Sequence, residues 1–107
     1  MGMIKTVLLF LTCVDAKEAR KIGRVLLEKR LIVCAKRLPI SSTYRWKGKI
    51  REDSEVLLLM ETVEEKFAAI EREVRKLHSY ETFVLLVMPV SNTSKGVGEW
   101  MREELGK

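Results

Sequence analysis

Glutamine is absent from this sequence of 107 residues, Asn92 is the only asparagine and His78 the only histidine, and there are two prolines and two cysteines. Each shortage excludes something. Apolar runs stay far below the roughly 20 residues that a bilayer-spanning helix needs, so no membrane partner is expected. No basic-then-apolar leader with a small-residue cleavage site opens the sequence, which points to a cytoplasmic protein. Met1-Gly2 with Thr6 formally matches a myristoylation pattern, but strand-forming residues start at once, and the match is set aside. Cys13 and Cys34 belong to no CxxC or CxxxH spacing, so a sequence-local zinc site is missing, and two separate thiols are expected rather than a disulfide. There is no glycine-rich phosphate loop, no glycine-rich linker and no low-complexity tract, and residues 1–107 read as one domain. The scarcity of amide side chains beside abundant Lys, Arg and Glu is a bias seen in heat-adapted proteins.

What is present is a globular pattern, with 47% hydrophobic and 33% charged residues and a net charge of +5. The basic residues are interspersed with glutamates, as on a solvated surface. Val7 to Leu11 is an unbroken apolar run, which suits a strand covered on both faces. Asp15 with Glu18 reads as a slightly irregular capping box for a helix whose buried stripe is Ala19, Ile22 and Leu26. Leu31 to Ala35 reads as a second strand closed by Pro39. "TYRWKGKI" from Thr43 reads as a hairpin turning at Lys47-Gly48, and Glu55 to Thr62 as another strand. Thr62 with Glu65 predicts a second capping box, before a helix with Phe67, Ile70, Val74 and Leu77 on one stripe. Phe83 to Val90 is a last apolar strand, and Val97, Trp100, Met101 and Leu105 mark one side of a short final helix. This order predicts an α+β fold, the ferredoxin-like split βαβ sandwich with a long β-hairpin and a C-terminal helix.

That architecture puts both long helices on one face of the sheet, yet the strands do not alternate: both of their faces are apolar. Leaving several Leu or Val side chains in water costs about 1.5–3 kcal/mol each. Burial against further copies of the chain removes that cost, so an oligomer is expected. Tyr44 and Trp46, two apart on a strand, then point the same way and meet a neighbouring subunit.

The ordered set Thr12-Cys13-x-Asp15, "LLEKRLIVCA" from Leu26 to Ala35, Pro39, Ser42-x-Tyr44-Arg45-Trp46-x-Gly48-Lys49-Ile50, "EDSEVLLLMET" from Glu52, "LHSYE" from Leu77, Pro89 and Trp100 resembles the CutA family of divalent-ion tolerance proteins over nearly the whole chain. The resemblance implies a cytoplasmic homotrimer of ferredoxin-like subunits, with helices outside and extended hairpins linking neighbours. It also implies association with copper and other divalent metals, and no established catalytic activity. The chain departs from the family's usual residues at Val14, Lys36, Glu61, Ser79, Phe83, Val84 and Val97. These positions lie mostly at helix ends and loops, so fold and trimer carry over better than metal specificity.

Soft and borderline metals take thiolate and imidazole. The candidate metal ligands are therefore Cys34 and Cys13, which match cysteines of the family, and His78 with Glu81 beyond the end of the second long helix. Against each stands a plain structural role: a small core residue for either cysteine, and interaction with the helix C-terminus for His78. A cysteine paired with His78 as nucleophile and base is the enzymatic alternative, with nothing in the sequence to bring the two together. RNA binding lacks its signature, because Gly48 is followed by Lys49-Ile50-Arg51, and no nucleic-acid partner is expected. The main rival is a regulatory trimer of the nitrogen-regulatory PII sort, taking a small anion in clefts between subunits, with Lys36, Arg37, Arg45 and Lys47 near the hairpin.

Overall fold

The computed structural model describes residues 5–106, and the Met1-Gly2 pair of the lipidation pattern lies outside them. The chain runs β1 (Thr6–Cys13), α1 (Ala16–Glu28), β2 (Cys34–Trp46), β3 (Lys49–Val63), a 3-10 turn (Glu64–Lys66), α2 (Phe67–Leu77), β4 (Leu85–Pro89) and α3 (Val97–Leu105). The sheet is antiparallel with strand order β2-β3-β1-β4, the ferredoxin-like arrangement. No helix among the described residues is long and apolar enough to cross a membrane.

One face of the sheet meets α1 and α2. Leu9, Leu11, Leu58 and Met60 from the strands pack with Ala19, Ile22, Leu26, Ile70 and Val74 from the helices, all fully buried. Gly23 of α1 lies tight against the sheet, where an added Cβ would stand 3.1 Å from the Ala35 Cβ. Local chemistry starts α1: the Asp15 carboxylate accepts the Glu18 N–H at 2.8 Å, and the Glu18 carboxylate accepts the Val14 N–H at 2.9 Å. The reciprocal bond reaches one residue further back than in the usual box.

Four expectations need correction. Thr62 caps nothing: it lies inside β3, where its hydroxyl donates to the Leu31 carbonyl at 2.6 Å. Pro39 does not close β2 but sits within it, since β2 is an edge strand and the missing N–H need not join a ladder on its open side. The second strand, the hairpin and the third strand are one long ribbon, with Cys34 paired to Glu61 at its base and Trp46 to Lys49 at its tip. Trp100 is 42% exposed rather than packed beside Met101 and Leu105, which join Val63, Val33 and Val97 in a separate small cluster.

The other face of the sheet is where the second set of apolar residues points. Phe10 pairs with Leu59 and Leu86, Leu8 with Met88, and Leu38 with Leu57, so all of these share that face. α3 covers only its Thr6–Val63 end. Leu86 remains 51% and Leu38 42% exposed. Beyond Val56 the β2–β3 ribbon has no further strand beside it and extends the molecule to 48 Å, against 26 and 21 Å in the other directions. Its tip is a tight turn with Lys47 at φ 50 and Gly48 at φ 79, the geometry of a type I′ turn. Tyr44 and Trp46 lie on the apolar, uncovered side, 38% and 42% exposed.

Candidate functional site

At the end where β1 stops, α1 starts and α2 finishes, Cys13, Glu18 and His78 bring a sulfur, a carboxylate oxygen and a ring nitrogen within 4.8 Å of one another. Cys13 and His78 were both sequence candidates. Glu18 was visible only as a helix cap, although the same carboxylate reaches across to a second helix end.

The ring nitrogens of His78 and the carboxylate oxygens of Glu18 already have partners. The His78 Nε2 lies 2.8 Å from the Thr12 carbonyl oxygen, which can only accept, so Nε2 carries the proton. The Tyr80 backbone N–H donates to Nδ1 at 3.0 Å, so Nδ1 holds the lone pair. The ring is therefore the neutral Nε2–H tautomer, its side chain fully buried beside Tyr80 and stacked on Phe83 with centroids 5.2 Å apart. Glu18 Oε1 accepts from Val14 N–H, and Oε2 accepts from Ser79 N–H at 2.6 Å. Burial on its own would raise the Glu18 pKa, but these hydrogen bonds hold it below the usual carboxylate range. Burial, reinforced by the carboxylates of Glu18, Asp15 and Glu55, pushes the Cys13 thiol up to about 12. A divalent cation needs a thiolate and a free imidazole lone pair. The corner offers neither, so the donor types match a metal while their present arrangement does not fit one. The same facts leave Cys13 and His78 without the thiolate and free base that a nucleophilic pair requires.

Cys34 and Glu81 stand elsewhere. Cys34 and Cys13 are on opposite faces of the sheet and both are free thiols. Beside Cys34, the Lys36 ammonium lies 3.3 Å from the sulfur and 2.6 Å from a Glu61 oxygen. The Glu61 bond raises the Lys36 pKa. A sulfur and a carboxylate on the uncovered face thus already hold a cation between them.

Glu81 is exposed and lines a cleft of about 770 Å³ between the ribbon and the loop before β4. Tyr44, Trp46 and Val84 give it apolar walls, Arg45 and Arg51 bring positive charge, and Glu55 and Tyr80 form its inner side. The Tyr80 phenol donates to Glu55 at 2.8 Å, and the Tyr44 phenol donates to Asp53. Of the basic residues expected near a cleft, Arg45 lines it, whereas Lys36 is taken up by Glu61. Glu55 and Tyr80 were not singled out from the sequence; a lone glutamate opening an apolar strand was the available signal.

Comparison with known proteins gives a uniform result. A family model described as CutA1 divalent ion tolerance protein matches residues 7–104. The divalent-cation tolerance protein CutA of Thermotoga maritima is 40% identical over 99 residues, covering 92% of this chain and 98% of its own. Human protein CutA is 40% identical over 95 residues, 88% of this chain but 53% of its own, so the chain spans about half the length of that relative. Among solved structures, the periplasmic divalent cation tolerance protein CutA of Archaeoglobus fulgidus superposes with a TM-score of 0.91 at 33% identity, covering 94% of this chain and 98% of its own. The divalent cation tolerance protein of Thermus thermophilus gives 0.90 at 31% identity, with 94% and 99% covered.

Proposed function

The chain belongs to the CutA1 divalent ion tolerance protein family, and on that premise we propose that it serves divalent-cation tolerance as a homotrimer that binds cations at its subunit boundaries. The observation that carries this reading is the uncovered apolar face. Phe10, Leu38, Leu57, Leu59, Leu86 and Met88 form one surface that the chain's own helices leave open. A contiguous apolar surface of this kind marks an interface. The two-stranded ribbon, marginal by itself, needs a neighbour for the same reason, and Tyr44 and Trp46 supply its contact.

Of the four sequence candidates, Cys34 lies on the uncovered face and Glu81 at the cleft beside the ribbon, and the proposed trimer would repeat each of them by symmetry. At Cys34 a divalent cation, copper among them, would replace the Lys36 ammonium between sulfur and the Glu61 carboxylate. Softness of the thiolate favours copper or zinc over magnesium or calcium there. The two unpaired thiols, held on opposite faces, support a reducing, cytoplasmic setting, which fractionation of the source cells tests.

A second reading has one observation in its favour. The cleft beside Glu81 has the volume of a small-molecule site, and Arg45 and Arg51 line it. A PII-like trimer would take a small anion there. Light scattering with calorimetric titration of Cu(II) and Zn(II), on the unaltered chain and on Cys34→Ser and Glu81→Gln, separates the readings. A trimer whose cation affinity falls at least tenfold with Cys34→Ser supports the first. A trimer with no heat of cation binding, but a thermal shift with organic anions, supports the second. A monomer at micromolar concentration removes both.

A further inference from the structure

We infer that Cys13, Glu18 and His78, whose side chains have the chemistry of a cation site, form a metal-free tie that locks three element ends together and positions Tyr80 in the wall of the cleft. The inference holds whether or not the chain takes a cation at Cys34.

The bonds define the tie. From His78, one ring nitrogen fastens the ring to Thr12 of β1 and the other receives the Tyr80 N–H. From Glu18, one oxygen fastens the start of α1 to Val14 and the other receives the Ser79 N–H. Both N–H groups of the 79–80 turn are thus held by side chains from the corner. The phenol of Tyr80 leaves that turn towards Glu55, which is 8% exposed. A cation entering the corner would have to displace the Tyr80 N–H from the only imidazole lone pair. It would also have to ionise a thiol that is fully buried. No unpartnered buried side-chain nitrogen or oxygen remains among the described residues to reward that rearrangement. Cys13 closes the corner from the core side and offers no ligand atom to solvent.

His78 and Glu18 are accordingly positioning residues that act on the cleft through Tyr80. The test is nuclear magnetic resonance on the uniformly 15N-labelled full chain, with Zn(II) as the probe. The ring of His78 is expected as the Nε2–H tautomer, unchanged in shift up to a few equivalents of Zn(II). The Ser79 and Tyr80 amides are expected to be protected from exchange, and Glu18→Gln to lower that protection at least tenfold while amides in the middle of β1 keep theirs. Cys13→Ser, close to isosteric, is expected to leave any Zn(II) isotherm unchanged. A Zn(II)-dependent shift of the His78 nitrogens, or a tenfold loss of Zn(II) affinity in Cys13→Ser, overturns the inference, as does the Nδ1–H tautomer. None of these outcomes depends on oligomeric state, so they are distinct from failure of the trimer.

Discussion

Tyr80 donates its phenolic hydrogen to Glu55 at 2.8 Å, joining the loop before β4 to the base of the β2–β3 ribbon. The carboxylate is almost wholly buried, and this is the hydrogen bond that justifies its position.

Tyr80→Phe removes the donor and leaves a buried carboxylate without it, at an expected cost of about 1–3 kcal/mol, read from the urea midpoint at pH 7. Burial first, and then the Glu55 bond, raise the Tyr80 pKa. A raised pKa means that the fold favours the protonated phenol. The stabilisation is therefore complete below the ordinary tyrosine value of about 10 and lost as pH rises beyond it. The Phe variant will lose that part of the alkaline decline.

Glu18 has the opposite sign. Its carboxylate is held below its usual pKa by backbone N–H groups, so its contribution is present above the ordinary value of about 4.3 and disappears as pH falls through the lower folded value. Glu18→Gln will cost about 1.5–3 kcal/mol at pH 7, as expected for hydrogen bonds to a charged group. The variant's midpoint will fall less steeply on acidification, a difference that denaturant titrations between pH 7 and 3 measure.

Gly48 holds φ 79 at the ribbon tip with nothing within 4 Å of the site of an added Cβ. Gly48→Ala will therefore cost the backbone strain alone, about 1–2 kcal/mol. Lys47→Asn will act in the other direction, because asparagine accepts the left-handed φ of 50 better than lysine does. Thermal unfolding of the two variants gives both signs in one experiment.

Leu86→Glu places a charge on the uncovered face, paired across from Phe10. The core on the other face is untouched, so circular dichroism will retain its helix and strand signal. If the proposed trimer forms through this face, the mass by light scattering will fall from three chains to one.

The parts of this fold legible in the sequence are those decided within a few residues. The Asp15–Glu18 cap, the stripe of Ile70 and Val74 and the Lys47-Gly48 turn all follow from local spacing, and the structure contains them. Thr62 was misread because its hydroxyl bonds across 31 residues to Leu31, a contact that competes with capping and leaves no local trace. Pro39 was misread because a proline stops a strand only where its N–H is needed, and edge position is a property of the whole sheet. The corner shows the same divide. Cys13 and His78 stand out by residue type, but the His78 ring is tied to the Thr12 carbonyl and the Glu18 carboxylate to the Ser79 N–H, contacts between segments more than 60 residues apart. Residue type suggested a ligand set; the bonds made by each atom give a different role.

The length of the β2–β3 ribbon also bears on how the chain matures. Its outer half, from Ile40 round to Glu55, touches no third strand, so the body can reach its final shape while this half is still searching. In the proposed trimer, completion then waits for collision with sister molecules, and the last phase of refolding will quicken as the solution is made more concentrated.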